Sequence, residues 1–280
     1  MSTPIILVVA IGLVCAVVLT VASKVFYVPV DETVAKLNEE LPGANCGGCG
    51  YAGCEDYAKA LAADHSLDCT KCAVGGAEVA AKIAEILGVS AGDSEPNVAV
   101  VMCNGQKDAA KPFMDYKGLQ TCAAAKTFYS GVNQCKYGCI GLGDCTRACN
   151  FDAIRVINGV AIVDRTNCVG CGACATACPN GIIQLTPESS MVMVRCSNHD
   201  KGAAAMKACK NACIGCGKCE RTCKFDAIHV EDNVAHIDPE KCKNCGMCEK
   251  ECPTGAIANI RPWVREQQAA AKAKAEAGEA

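Results

Sequence analysis

Three hydrophobic patterns succeed one another along the chain. From Ile5 to Ala22 the sequence IILVVAIGLVCAVVLTVA runs for 18 residues without a charge. With Pro4 and Ser23 at its ends, it approaches the ~20 residues that cross ~30 Å of hydrocarbon. A helical period follows. In Asp31–Leu41 the apolar positions Val34, Leu37 and Leu41 share one face, with Asp31 as N-cap and Pro42–Gly43 as the stop. Further helices are predicted around Glu55–Ala63 and over Ala77–Leu87, the latter closed by Gly88. The polar SAGDSEPN at 90–97 marks a boundary. Beyond it the apolar stretches shorten: Val98–Met102, DAIRV, GVAIVD, DAIHV and NVAHID read as short strands around turns. The final EQQAAAKAKAEAGEA reads as a helical or frayed tail.

The short strands belong to an internal repeat. Residues 135–183 align without a gap to residues 209–257 at a constant offset of 74, so that Cys139 matches Cys213, Cys168 matches Cys242 and Cys178 matches Cys252. At the same offset Cys122 matches Cys196. The predicted fold class is α+β: one N-terminal transmembrane helix, a small cysteine-rich domain, then two tandem repeat domains. The boundaries are 1–26 for the anchor, 27–90 for the N-terminal domain and 98–134 for a linking segment. The two repeat domains take 135–190 and 191–262, and the tail takes 263–280.

Composition explains why such short elements can hold together. Cysteine occurs 26 times in 280 residues, about 9% and several times its usual share. Five Phe and one Trp exclude a large aromatic core. The formal charge of −3, with no long basic block, argues against nucleic acid as a partner. Only MSTP precedes the apolar run, and the first cation, Lys24, follows it. That favours a retained anchor over a cleaved signal peptide and keeps the rest of the chain cytoplasmic. A reducing compartment in turn disfavours disulfides.

The cysteine spacing then separates zinc from iron–sulfur clusters. A structural zinc site draws on two separated C-x2-C arms. Here C-x2-C-x2-C-x3-C occurs three times: Cys168-Cys171-Cys174-Cys178, Cys213-Cys216-Cys219-Cys223 and Cys242-Cys245-Cys248-Cys252. In that motif three thiolates hold one cubane and the fourth goes to its neighbour. In the second repeat this assigns Cys213, Cys216, Cys219 and Cys252 to one cluster, and Cys223, Cys242, Cys245 and Cys248 to another.

In the first repeat, Cys149, Cys168, Cys171 and Cys174 make a complete set. Cys139, Cys145 and Cys178 lack a fourth member, because Leu142 stands opposite Cys216. Cys135 is the nearest candidate in sequence. Cys103, Cys122 and a three-iron cluster are the alternatives. Upstream, Cys46-x2-Cys49-x4-Cys54-x17-Cys72 forms a fifth set with a different spacing, for which Cys69 is an alternative to Cys72. Five [4Fe–4S] clusters are therefore expected, which makes residues 27–90 a small [4Fe–4S] domain and the two repeats tandem bicluster ferredoxin-like domains. Cys103, Cys122, Cys196 and Cys209 remain, alongside Cys135; the stretches ending in Cys103 and Cys196 read as paired strands, and these cysteines supply a sixth cluster or are simply buried thiols.

The Gly48–Gly53 stretch also spells G-x-G-x-x-G. It follows no predicted strand, so it reads as a cluster loop and not a dinucleotide site. No Walker loop, Ser/His/Asp arrangement or paired carboxylate is present, and no catalytic residue is predicted.

The apolar anchor, LPGANCGGCGYAGC with the distant Cys72, and the duplicated ferredoxin motifs together resemble the iron–sulfur B subunits of Rnf complexes, in the long variant with an extra ferredoxin pair. The resemblance covers all but the Ala-rich tail. It implies a subunit of a translocating ferredoxin:NAD oxidoreductase in the cell (inner) membrane, taking electrons from reduced ferredoxin and passing them to other Rnf subunits. NAD reduction and Na⁺ or H⁺ translocation belong to the whole complex. Lipid contact is expected through residues 5–22. Five all-thiolate clusters at about −2 each would shift the charge from −3 to about −13. An acidic donor then needs a local basic patch, for which Lys207, Lys210, Lys218 and Arg221, or Lys241 and Lys243, are the candidates. A soluble polyferredoxin, or a reductase serving a redox-sensing regulator, would share the clusters but serve another acceptor.

Overall fold

A computed structural model describes residues 12–21, 31–90, 92 and 95–278, with side chains as far as residue 273. Residues 12–21 form helix α1, whose apolar side chains stay exposed: Leu13, Val14, Val17, Val18, Leu19 and Val21 keep 55–69% of their surface. The remainder of the predicted 5–22 span lies outside the described residues, as do 91, 93 and 94 of the predicted boundary. Among the described residues no helix is long and apolar enough to cross a membrane.

The N-terminal domain is built on three helices: α2 (Glu32–Glu40), α3 (Cys54–Ala63) and α4 (Gly76–Leu87). The Asp31 carboxylate accepts the Thr33 N–H at 2.9 Å and so fixes the start of α2. Leu37, Tyr57, Leu61 and Ile83 close into one core with almost no solvent contact. The Tyr57 hydroxyl donates to the Asp68 carbonyl at 2.9 Å, which ties α3 to the loop that carries Cys72.

The remainder is four two-stranded antiparallel ladders and a set of very short helices. The elements of the first half are β1 (Asn97–Val101), α5 (Cys122–Tyr129), α6 (Asp144–Arg147), β2 (Ile154–Ile157), β3 (Val160–Val163), α7 (Ala173–Thr176) and β4 (Ile183–Pro187). Those of the second half are β5 (Val192–Val194), α8 (Gly202–Ala208), α9 (Lys218–Thr222), β6 (Ile228–Glu231), β7 (Val234–Ile237), α10 (Met247–Glu251) and β8 (Ile257–Asn259). Helix α11 (Arg261–Gly278) ends the chain.

The hairpins β2–β3 and β6–β7 form at the predicted places, 74 residues apart. The stretches ending in Cys103 and Cys196 do not pair with each other as the sequence suggests. Instead β1 pairs with β4, Val101 opposite Ile183, and β5 pairs with β8, Val194 opposite Ile257. Each repeat thus completes its second ladder with a strand from before its first cysteine, because β4 and β8 each leave a free edge that needs a partner. The tail is not frayed where it begins. Val264 joins Val100 and Met193 in a small core, and Gln267 bonds the backbone at Val163 and Arg165.

Candidate metal centres

Cysteine spacing places the sulfurs, and the short ladders decide which of them face one another. In the first repeat a cavity of about 340 Å³ is bordered by Cys149, Cys168, Cys171 and Cys174. In the second, about 320 Å³ is bordered by Cys213, Cys216, Cys219 and Cys252. Both groupings follow the crossing pattern that the motif predicts. Cys223 and Cys248 pack against the same core as Cys213 and Cys219, and the Cys223 sulfur accepts the Ala227 N–H at 3.4 Å.

The incomplete set is where structure and spacing differ. A cavity of about 330 Å³ is bordered by Cys139, Cys145, Cys178 and Cys122, while Cys135 borders a different cavity. Cys122 opens helix α5, whose first two N–H groups, of Cys122 and Ala123, both donate to the Asp144 carboxylate at 2.9 Å. Asp144 also pairs with Arg147. The residue two places after Leu142 therefore holds in position the cysteine that sequence distance makes remote. Cys135 points away because its sulfur accepts from the buried Asn198 amide. The one signal in the sequence was Cys122 itself, a cysteine without a motif.

In the N-terminal domain Cys72 interacts electrostatically with Cys54, Cys49 and Cys46, and its sulfur accepts the Gly75 N–H at 3.4 Å. Cys69 is turned the other way and donates to the Leu67 carbonyl. The Asn45 side chain accepts the Cys54 N–H at 2.8 Å and fixes the start of α3 beside the loop. That loop packs on the first repeat. A Cβ at Gly48 would stand 2.6 Å from the Cys171 carbonyl oxygen, so only glycine allows this approach. The G-x-G-x-x-G stretch is thus an interface between two cysteine loops.

Burial pushes the thiols up: Cys139 and Cys174 to about 12, and Cys145, Cys219 and Cys248 to about 11. Such thiols stay protonated in a metal-free chain, so metal loading must release protons. Burial acts on Cys252 too, but N–H groups of Thr254, Ala256 and Ile257 and the Thr254 hydroxyl bring it below the ordinary thiol value. Ala99 N–H donates to Cys168 and Ala161 N–H to Cys139, at 3.4 and 3.5 Å. These donors are aimed at sulfurs before any charge develops, the arrangement that stabilises thiolate ligands.

The donor set discriminates between metals. Among the described residues no group of three or more His, Cys, Asp or Glu side chains is close enough to hold a single ion. Four thiols that border one gap, drawn from C-x2-C-x2-C runs and a remote cysteine, suit a cubane, which spreads its ligands over four irons. The residues fit [4Fe–4S] clusters.

Comparison with known proteins agrees. Residues 212–256 match the family of 4Fe-4S dicluster domains, 161–184 a 4Fe-4S binding domain and 41–74 a putative Fe-S cluster domain. The chain is 42% identical to the B subunit of the Na(+)-translocating ferredoxin:NAD(+) oxidoreductase complex of Acetobacterium woodii, over 88% of this chain and 74% of that protein. It is 42% identical to the B subunit of the proton-translocating ferredoxin:NAD(+) oxidoreductase complex of Clostridium ljungdahlii, over 89% of each. It is 39% identical to the B subunit of the ion-translocating oxidoreductase complex of Methanosarcina acetivorans, over 88% of this chain and 93% of that one.

Proposed function

The chain belongs to the family of B subunits of ion-translocating ferredoxin:NAD(+) oxidoreductase (Rnf) complexes, and from that premise we propose that it is the iron–sulfur relay of such a complex. It takes electrons from reduced ferredoxin and delivers them to the other subunits. Five ligand sets carry the reading: Cys46, Cys49, Cys54 and Cys72; Cys149, Cys168, Cys171 and Cys174; Cys122, Cys139, Cys145 and Cys178; Cys213, Cys216, Cys219 and Cys252; and Cys223, Cys242, Cys245 and Cys248. Cys122 replaces Cys135, which spacing alone favours.

The observation that supports a wire is adjacency between sets. The Gly48 loop meets the Cys171 backbone, Cys145 and Cys174 share one core, and Cys248 packs against the core that holds Cys219. When bound, a [4Fe–4S] cluster supplies a one-electron store whose potential the surroundings set. The chain's own residues exclude water, aim N–H donors at the sulfurs and keep the sets in contact.

Direction follows from exposure. Cys216 and Cys245 are exposed, whereas the equivalent loop at Cys171 is covered by the Gly48 loop. The second repeat is thus the side open to a donor, flanked by the exposed Lys218, Arg221, Lys241 and Lys243. The N-terminal domain, next to the anchor, is the side that meets the membrane subunits. An apolar span over residues 5–22, of which α1 is the described part, holds the chain in the bilayer with its cluster domains cytoplasmic.

The test is iron and acid-labile sulfide per chain on anaerobically purified protein, with EPR after reduction by ferredoxin. At least ~20 iron and interacting low-potential S = 1/2 signals are expected. Zinc in place of iron, or only two clusters after reconstitution, would sink the relay.

A further inference from the structure

Outside the five sets, Cys103, Cys135, Cys196 and Cys209 converge on one cavity of about 380 Å³ between the two repeats. They arrive as two equivalent pairs. Cys103 lies two residues beyond the end of β1 and Cys196 two beyond the end of β5. Each sulfur accepts the N–H of the leading cysteine in its own repeat: Cys139 to Cys103 at 3.3 Å, and Cys213 to Cys196 at 3.2 Å. Cys135 and Cys209 each stand four residues before that same leading cysteine. The true counterpart of Cys196 is therefore Cys103, not Cys122 as the constant offset suggests.

The walls are shaped around the sulfurs. A Cβ at Gly138 would meet Cys135 Sγ at 3.4 Å and Cys103 Sγ at 3.5 Å; one at Gly105 would meet Cys103 Sγ at 3.5 Å and Cys209 Sγ at 3.7 Å. Asn198, 1% exposed, donates its amide to Cys135 Sγ at 3.5 Å. The half-buried Arg195 also borders the cavity. Its guanidinium bonds the Cys103 carbonyl at 3.1 Å, and among the described residues it has no carboxylate within ion-pair distance. A cation removed from water without an anion is costly. A cluster with four thiolates carries about −2 and supplies that anion.

We propose that Cys103, Cys135, Cys196 and Cys209 ligate a sixth [4Fe–4S] cluster that joins the two ferredoxin-like domains, an inference that rests on the relay reading and supplies its middle step. The site neighbours the Cys139 set on one side and the Cys213 set on the other. Loading is a ligand exchange. A preformed [4Fe–4S]²⁺ core gives up four external thiolates and bonds four cysteine sulfurs, and the four cysteine protons leave with the departing thiols. No iron changes oxidation state. In operation one electron enters and one leaves, with no bond made or broken.

The experiment compares the full chain with C103A/C209A and with the single variant C209A, each purified anaerobically. Iron and sulfide are assayed alongside Mössbauer and EPR spectra. The expected result is about 24 iron in the parent and about 20 in the double variant. C209A should show a three-iron signal in its oxidised state. About 20 iron in the parent, unchanged in both variants, overturns the sixth cluster and leaves the five-cluster relay standing. A parent with far fewer than 20 iron counts against the relay itself. Should the double variant fail to fold, C209A decides: a spectrum identical to the parent's refutes the proposal.

Discussion

The two repeats share spacing, hairpins and motif, yet they complete their first cluster site in different ways. In the second repeat Cys216 lies within the motif and is exposed. In the first, Leu142 takes that place and packs against Cys122, Ala125 and Ile140. In the relay proposed above the fourth thiol comes instead from a longer connection: thirty-one residues separate Cys103 from Cys135, against twelve between Cys196 and Cys209. The extra length holds helix α5 and Cys122, tied down by Asp144, whose counterpart in the second repeat is Lys218. The first repeat thus sets a remote cysteine, held by a carboxylate at the start of its helix, beside the three motif cysteines. The lesson is that a gap in a motif can be faced by a thiol from elsewhere in the chain.

The largest effect should come from moving the ligand back. C122A should convert the first repeat's incomplete set to a three-iron centre or empty it, read as up to ~4 iron lost and a new oxidised-state EPR signal. Adding L142C to C122A should restore the iron, because the first repeat then matches the second. Failure of L142C to rescue would break the comparison.

A smaller effect should appear in electron transfer. G48V forces the N-terminal loop off the Cys171 loop and should slow oxidation of the repeats through the N-terminal domain several-fold, with iron content unchanged. K241E/K243E acts at the open face of the second repeat and should instead slow reduction by ferredoxin, more at low ionic strength than at high. Stopped-flow kinetics in each direction separates the two. Equal slowing of both steps by either variant would undo the assignment of ends.

The smallest effect is local. D144A removes the carboxylate that accepts the first two N–H groups of α5, leaving the Thr121 cap, and should cost about 1 kcal/mol, seen as earlier thermal loss of one cluster signal. K218A at the equivalent position should leave its cluster's melting unchanged.

The N-terminal helices followed directly from apolar spacing and caps, since both are local properties: Asp31 caps the nearest turn, and Leu37 and Ile83 need only a neighbouring helix face. The same holds for the repeat hairpins, whose strands are joined by tight turns. Strand pairing was less legible. The stretches ending in Cys103 and Cys196 look alike and invite pairing, but each is held by its own repeat's last strand.

By itself the sequence determined the kind of chemistry and the duplication, and it marked the twelve cysteines of the three C-x2-C-x2-C-x3-C motifs as ligand candidates, because that spacing carries its own geometry. Only the tertiary structure decided the work of the cysteines that stand outside a motif. Cys122 and Cys135 both precede Leu142, and the one nearer in sequence is not the one that borders the cavity of Cys139, Cys145 and Cys178. That choice rests on Asp144 drawing α5 against one cavity and Asn198 holding Cys135 at another. Both are contacts across the fold, whose energies depend on positions that no spacing rule encodes.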